Sequence, residues 1–317
     1  MTKKKICITG AGGYVGSTLA ETLKDDYEVV GFGHPPSHKA TEGRSGAGIE
    51  GDVADYKALS RAVKGSYAVI HTASPTKESW CNEHPYEAIR TIVMGTRNVR
   101  HAVDEHKVPL LVHFSTQAVY SNFTKCPMPL REGTKLRPDN FYGTLKALAE
   151  DELTTPSLLK TKDYKLKTII LRPANIYGVG AGPLRRNVVY AFAENAQNGK
   201  PLILSGDGKQ KVDFIHVRDI ARLVGLILKK GIPKGNKLLI LNVGSGKPTA
   251  IKDIARVVSI EMKRQGKEVK VISQKVPKDT IAADRWLSIA RAQKLYGWKP
   301  EITLEEGIKE LLECFKS

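Results

Sequence analysis

The chain has 317 residues, 41% of them hydrophobic, with 50 lysines and arginines against 33 aspartates and glutamates, a formal charge of +17. That apolar share fills a core and excludes a disordered chain, and no apolar run reaches the ~18 residues of a membrane span. Cys7, Cys81, Cys126 and Cys314 are scattered with no C-x-x-C pair, which argues against a disulfide frame and against a zinc or other metal site. Lys3-Lys4-Lys5 leads straight into an apolar strand rather than into a leader peptide, so the expected location is cytoplasmic. Excess positive charge suits nucleic acid, an acidic membrane or an anionic metabolite. The lysines, however, spread over 160–167, 229–237 and 263–278 and form no aromatic-interleaved stripe. A solvated lysine-rich surface is the simpler reading, with nucleic acid and membrane disfavoured as partners.

Lys5 to Thr9 reads as a strand and Ser17 to Lys24 as a helix, with Gly10-Ala11-Gly12-Gly13-Tyr14-Val15-Gly16 between them. Gly10 permits the tight turn, Gly13 lets a pyrophosphate approach the backbone, and Gly16 lets helix and strand pack closely. The helix then turns its positive end towards the phosphates. Glycine spacing alone is weak evidence; the strand before and the helix after make it a dinucleotide site. Glu28 to Phe32 is a second strand. Where an acidic residue often holds the ribose 2′-hydroxyl, Gly33 and His34 stand instead, with Lys39 and Arg44 nearby. No carboxylate repels a 2′-phosphate, so of NAD and NADP the residues lean to NADP; a mobile loop explains them equally simply.

A third strand lies around Ile49 and ends in Gly51-Asp52-Val53, where Asp52 is placed to accept from an adenine amino group. Tyr67 to Ser74 is a buried fourth strand whose Ala73-Ser74 end passes under the cofactor, and its His71 suits a satisfied core histidine better than a catalyst. Pro85 to Glu105 reads as a long helix. Leu110 to Thr116 is a fifth strand. The following helix carries Tyr142 and Lys146, with Ala147, Leu148 and Leu153 at its apolar positions. Residues four apart share a helix face. A nearby ammonium favours the phenolate and lowers a tyrosine pKa from about 10, and such a tyrosine can take a proton from a substrate hydroxyl.

Glycines 10, 13 and 16, Asp52, Thr116 after a strand, Tyr142-x-x-x-Lys146 and Leu171-Arg172-Pro173-Ala174-Asn175-Ile176-Tyr177-Gly178 come in the order of a known family. Gly206-Asp207-Gly208, Asp213 to Asp219 and Gly297-Trp298-Lys299-Pro300 continue it across nearly the whole chain. The chain resembles the extended short-chain dehydrogenase/reductases, in particular the NAD(P)-dependent sugar-nucleotide epimerases and dehydratases. The resemblance implies an α/β protein: a Rossmann-type doubly wound parallel sheet with a smaller interleaved C-terminal substrate lobe. Residues 1–176, re-entered at about 212–243, would bind NAD(P); 177–211 and 244–317 would form the lobe. It also implies a homodimer packed through the helices near Glu87 to Glu105 and Asn140 to Leu153.

By resemblance, Tyr142 is the general base or acid. Lys146 lowers its pKa and holds the nicotinamide ribose, and Thr116 bonds the substrate oxygen; Ser115 beside it reads as structural. Tyr14, Val15, His34, Val53, Thr72, Ala73, Ser74 and Pro173 join the glycines and Asp52 around the cofactor. Dehydratases place Asp-Glu after the threonine; here Gln117 and Ala118 stand there, which disfavours dehydration. Family members carry an arginine before the Asp-Phe pair to grip a substrate phosphate, and here the residue is Val212. Lys209, Lys211, Arg285, Arg185 or Arg186 are the candidate substitutes, or ordinary surface cations. Asn175 matches a diphosphate contact or caps a turn. His216 reads as structural, and Trp298 with Pro300 closes the C-terminal fold. The implied substrate is a nucleotide sugar, with 4-epimerisation ahead of ketone reduction. The Val212-Asp213-Phe214, Val-Ile-His-Thr-Ala and Gly-Thr-Arg-Asn-Val stretches also resemble the 3β-hydroxysteroid dehydrogenases, and Thr91 departs from the asparagine usual in epimerases, which keeps a non-nucleotide alcohol as the alternative. A non-catalytic dinucleotide-bound RNA- or protein-binding protein is the rival of another class, and it would have no need of the Thr116/Tyr142/Lys146 set.

Overall fold

Short apolar runs alternate with amphipathic ones, and strands buried on both faces require helices on both sides of a sheet. The computed structural model describes residues 2–33, 48–120, 126–154, 166–182, 187–275 and 284–316. It opens with β1 (Lys4–Thr9), α1 (Tyr14–Leu23), β2 (Tyr27–Gly33), β3 (Gly48–Glu50), α2 (Tyr56–Val63) and β4 (Ala68–His71). Next come α3 (Glu78–Glu83), α4 (Pro85–Ile89), a π-helical turn (Arg90–Met94), α5 (Gly95–Glu105), β5 (Leu110–Phe114), a 3-10 turn (Gln117–Val119) and α6 (Phe141–Thr154). Then follow β6 (Lys167–Pro173), β7 (Asn175–Tyr177), α7 (Val188–Gln197), β8 (Leu202–Ser205), β9 (Lys211–Val212), β10 (Phe214–His216) and α8 (Val217–Lys230). The last part holds β11 (Leu238–Val243), β12 (Thr249–Ala250), α9 (Ile251–Arg264), β13 (Val271–Gln274), α10 (Ala290–Tyr296) and α11 (Leu304–Cys314).

Seven strands pair in the order β11-β6-β5-β4-β1-β2-β3, every pair parallel. The chain walks outward from β1 to β3, returns as β4 on the other side of β1, and walks outward again. A ligand crevice opens at such a reversal, beyond the carboxyl ends of the strands. Ile6, Ile8, Ile70, Val112 and Leu171 pack on one face with Leu19, Leu23, Ile220 and Val224 of α1 and α8. Cys7, Val69, Leu111 and Ile170 pack on the other with Leu59, Val99 and Leu153 of α2, α5 and α6. A second core joins Phe192 of α7, Val258 of α9 and Leu311 of α11 to Leu202 and Phe214. The stretch after β13 is divided between these cores: Leu287, Ile289 and Trp298 pack in the sheet's own cluster. Trp298 is fully buried, its Nε1 donating to the Asp219 carbonyl at 3.0 Å.

The helix expected over residues 85–105 is present, but its hydrogen-bond ladder widens through the π-helical turn at Arg90–Met94. The first helix begins at Tyr14, with Gly13 as its N-cap. Leu148 does not join the apolar face of α6; it is 46% exposed. The buried stripe runs Leu145, Ala149, Leu153 at four-residue spacing, which leaves Leu148 pointing away from it. His34, Lys39, Arg44, Arg185 and Arg186 lie outside the described residues. Among the described residues no helix is long and apolar enough to cross a membrane, and no cluster of His, Cys, Asp and Glu could hold a metal ion.

Candidate active site

The glycine turn closes β1 onto α1 at the sheet's reversal. Gly10 has φ +72 and donates its N–H to the Phe32 carbonyl at 2.7 Å; only glycine holds that conformation without strain. A Cβ on Gly16 would lie 2.2 Å from the Gly10 carbonyl oxygen, and one on Gly10 would lie 2.8 Å from the Ala73 backbone. The turn, α1 and the end of β4 therefore meet at backbone contact, and Thr72 Oγ1 fixes that junction by donating to the Thr9 carbonyl at 2.7 Å. Gly13 is exposed. No side chain caps α1, and no acidic residue stands in its first turn, so its positive end is open to an anion. The residues of this cradle fit a dinucleotide: Gly10, Gly13, Tyr14, Val15 and Gly16 would hold its phosphates, with Thr72, Ala73 and Ser74 at the adjoining end of β4. Asp52, just past β3, binds Ala54 N at 2.9 Å through Oδ1 and Arg90 at 2.9 Å through Oδ2. Val53 is buried, and its carbonyl accepts from Asn98 Nδ2 at 3.0 Å. Pro173 is buried at the end of β6.

Tyr142 and Lys146 stand one turn apart at the start of α6. Asn140 Oδ1 accepts from Gly143 N at 2.7 Å and organises the first turn. A Cβ on Gly143 would come 2.7 Å from the Ala118 carbonyl oxygen, so α6 rests directly on the 3-10 turn that follows Thr116. Thr116 caps that turn, its Oγ1 accepting from Ala118 N at 3.2 Å. Lys146 is 3% exposed, and its Nζ donates to the Phe114 carbonyl at 2.5 Å, two residues before Thr116. Burial lowers the Lys146 pKa to about 8 against the opposing pull of Glu150. Tyr142 is partly buried, packed against the cluster of Cys81, Ala88, Ile92, Leu145 and Ala149. The structure thus ties Lys146 to the carboxyl end of β5, two residues before Thr116, and sets Tyr142 one helical turn before Lys146 where α6 meets the turn that Thr116 caps.

Beneath them lies a buried polar lattice. Ser115 Oγ donates to Glu150 Oε1 at 2.5 Å, which gives Ser115 its structural role. Arg172 grips Glu150 with two bonds of 2.9 and 2.5 Å and reaches Tyr120 OH at 2.9 Å. Tyr120 OH in turn donates to Asn242 Oδ1 at 2.6 Å. Sequence reading missed this lattice, although Glu150, four residues after Lys146, was a readable signal. His71 is a core residue as expected. Thr96 Oγ1 donates to the Ile92 carbonyl, so it accepts from His71 Nε2–H at 3.0 Å, while His71 Nδ1 accepts from Thr9 at 2.7 Å. Burial, with Lys146 adding to it, pushes the His71 pKa down to about 3. His216 caps α8 by accepting from Arg218 N at 3.2 Å.

At the other side of the crevice, Val212 is buried in β9 and forms a backbone bridge with Arg285. Arg285 therefore stands beside the position where an arginine was expected. It is half-buried, and burial lowers its pKa while the Asp139 carboxylate, at the start of α6, works in the opposite direction. Lys211 is exposed. Asp213 is buried and holds Ser245 N at 2.8 Å and Leu287 N at 3.1 Å. Asn175 spends its Nδ2 on the Asp213 carbonyl at 3.1 Å, and its N–H bonds the same carbonyl at 3.2 Å, a long-range tie rather than the cap of a turn.

Fold and site together define a dinucleotide-binding α/β protein with a tyrosine–lysine pair at the sheet's switch point. The model of the NAD dependent epimerase/dehydratase family matches residues 6–244, and the chain belongs to that family. A 2-alkyl-3-oxoalkanoate reductase of Stenotrophomonas maltophilia is 27% identical over 97% of this chain and 98% of its own. A UDP-glucuronate 4-epimerase of Thermodesulfobacterium geofontis is 27% identical over 98% and 95%. The structure of UDP-glucose 4-epimerase from Thermotoga maritima with UDP-glucose superposes with a TM-score of 0.84 at 24% identity, covering 98% of both chains; at that identity it shows the shared fold.

Proposed function

We propose that this protein is a 4-epimerase of nucleotide sugars that retains NAD through the cycle. One observation carries the reading: Lys146 is buried one helical turn from Tyr142 and tied to Phe114, the last residue of β5, two residues before Thr116. Folding alone does not favour burying an ammonium there. When bound, NAD supplies a hydride acceptor and returns the hydride. Tyr142 takes the proton of the C4 hydroxyl, Lys146 holds the phenolate and the nicotinamide ribose, and Thr116 donates to the substrate oxygen. Such proton transfer is worth ~10²–10⁴-fold in rate. Gln117 and Ala118 offer no acid–base pair for a dehydration. The substrate lobe is built on residues 177–211 and on the parts of 244–317 that pack in the second core, with Leu287, Ile289 and Trp298 joining the sheet's core instead; Arg285, beside Val212, is its anion clamp for the nucleotide diphosphate. The names of the 4-epimerase relatives support this substrate class. The end of β2 has no carboxylate against NADP; the family description favours NAD.

The active unit is a homodimer. Tyr86, Ile89, Met94 and Leu148 are 83, 39, 46 and 46% exposed, all on α4, the π-helical turn and α6, and a second copy packed helix to helix covers them. All four cysteines are free, which suits a reducing cytoplasm. A second reading rests on Val212 and on the oxoalkanoate reductase relative: a reductase of a non-nucleotide ketone. Denaturing the purified protein and identifying released nucleotide by mass spectrometry separates the two. NAD carried through purification supports the epimerase, which regenerates its cofactor. An empty site that prefers NADPH to NADH supports the reductase.

A further inference from the structure

Between β7 and α7 the chain runs Gly178-Val179-Gly180-Ala181-Gly182, and this segment lies flat on the first turns of α1. Its root is pinned twice. Tyr14 OH donates to the Gly178 carbonyl at 2.7 Å, and Gly178, at φ +99, is so close to the His216 ring that a Cβ would lie 1.9 Å from Nε2. The middle is held by Ala181 N, which donates to Thr18 Oγ1 at 3.2 Å; a Cβ on Gly180 would meet that same oxygen at 2.3 Å. At the far end a Cβ on Gly182 would lie 2.1 Å from Ser17 Oγ and 3.1 Å from the Gly13 carbonyl. Gly178 thus makes room for the His216 ring, and Gly180 and Gly182 let the strap's backbone press against the Thr18 and Ser17 hydroxyls of α1 with no side chain of its own between. Thr18 is 3% exposed, and none of these contacts touches the Tyr142 side of the crevice.

Gly13 is the N-cap of α1 and is exposed. The Gly13 carbonyl that Gly182 approaches accepts from Ser17 N at 2.9 Å inside the helix, so Gly182 lies on the side of the first turn, next to the helix end where a diphosphate would sit. The strap is therefore a wall of the cofactor's phosphate seat built from residues more than 160 positions away, and it continues into α7 of the second core. We propose that Gly180, Gly182 and Thr18 are positioning residues that hold the strap against the bound cofactor's diphosphate and slow its release. This rests on the reading that the protein binds NAD and extends it from a static site to a retention device. An enzyme that returns its hydride within one cycle gains from such a wall; one that exchanges cofactor at every turnover does not.

The test uses the purified NAD-loaded protein. NAD is displaced by a large excess of an unlabelled analogue, and its release is timed in wild type, Gly182→Ala, Thr18→Val and the control Gly225→Ala. Gly225 lies in α8, where a Cβ meets only Leu23 Cδ2 at an ordinary 3.7 Å. Gly182→Ala crowds the Ser17 hydroxyl at 2.1 Å and the Gly13 carbonyl at 3.1 Å, displaces the strap from the first turn of α1, and is expected to speed release about tenfold. Thr18→Val removes one acceptor at nearly constant shape and is expected to speed it about fivefold, the effect of one net hydrogen bond. Melting of the NAD-free proteins is measured in parallel, so that a variant that merely unfolds is recognised, and Thr18→Val remains the milder probe. If wild type holds NAD and both variants release it at the wild-type rate, the strap proposal is overturned while NAD binding stands. If wild type binds no NAD, both fail.

Discussion

Gly143→Ala should slow turnover while leaving the cofactor bound. Gly143 is the residue between Tyr142 and the solvent-facing Thr144, and it is where α6 touches the 3-10 turn after Thr116. An added methyl meets the Ala118 carbonyl oxygen at 2.7 Å and Asn140 Oδ1 at 3.1 Å. The nearer atom is backbone and cannot rotate away. Restoring an ordinary contact of 3.4 Å moves the start of α6 back by about 0.7 Å. A misplacement on the order of 1 Å in a reacting constellation costs ~10²-fold, so kcat should fall about 10- to 100-fold. Stability changes less, because crowding of ~1–3 kcal/mol is offset by the ~1 kcal/mol by which alanine exceeds glycine in a helix. The assay is steady-state turnover on a nucleotide sugar, with bound NAD counted in the same sample and Thr144→Ala as a control. Wild-type kcat in Gly143→Ala would refute the contact's role in setting Tyr142 against Thr116.

Tyr142→Phe should abolish turnover and keep bound nucleotide; a variant that still turns over at the wild-type rate removes Tyr142 from the chemistry. Arg172→Met leaves the Glu150 carboxylate buried without its charge partner, which costs ~3–5 kcal/mol. Urea unfolding checks this, and a Glu150→Leu/Arg172→Met pair should recover part of the loss, whereas an additive loss counts against the lattice. His71 has a folded pKa of about 3 against an ordinary 6.5, so the unfolded chain binds its proton first on acidification. Its contribution is full above pH 6.5 and falls by ~1.4 kcal/mol per pH unit as the pH drops towards 3. Equilibrium unfolding from pH 7 to pH 4 should show a shallower loss in His71→Leu, and equal slopes would remove His71 as the cause. Leu148→Asp should convert a dimer to a monomer in light scattering, and a wild-type protein that is already monomeric contradicts the helix-face assembly.

The parts of the site readable beforehand were those coded by local spacing. Glycines 10, 13 and 16 declare themselves because a positive φ and a backbone contact exclude side chains over a few residues. Tyr142 and Lys146 declare themselves because a helix repeats every turn. The strands of the sheet were legible as apolar runs buried on both faces: β1 and β2 came out within one residue of their observed bounds, whereas β4 ends at His71 and β5 at Phe114, short of the expected Ser74 and Thr116. What stayed hidden depends on partners far away in the chain. The bridge from Val212 to Arg285, the carbonyl of Ala118 against Gly143 and the Gly182 strap on Ser17 join residues that no periodicity relates. Leu148 shows the converse: it is apolar and on the right helix, but it sits off the Leu145–Ala149–Leu153 stripe, and an apolar residue there reads as core until the packing is seen. The fate of Asn175 was undecidable for the same reason, since its partner, the Asp213 carbonyl, arrives 38 residues later, between β9 and β10.

The most direct test is to incubate the purified protein, with no cofactor added, with UDP-glucose, UDP-N-acetylglucosamine and UDP-glucuronate in turn, and to follow the sugar by proton NMR. The account predicts that at least one of them converts to its C4 epimer until the two stand at equilibrium, with the protein's nucleotide recovered afterwards as NAD. No epimer from any of the three, together with net oxidation of added NADPH on a ketone panel, would contradict it.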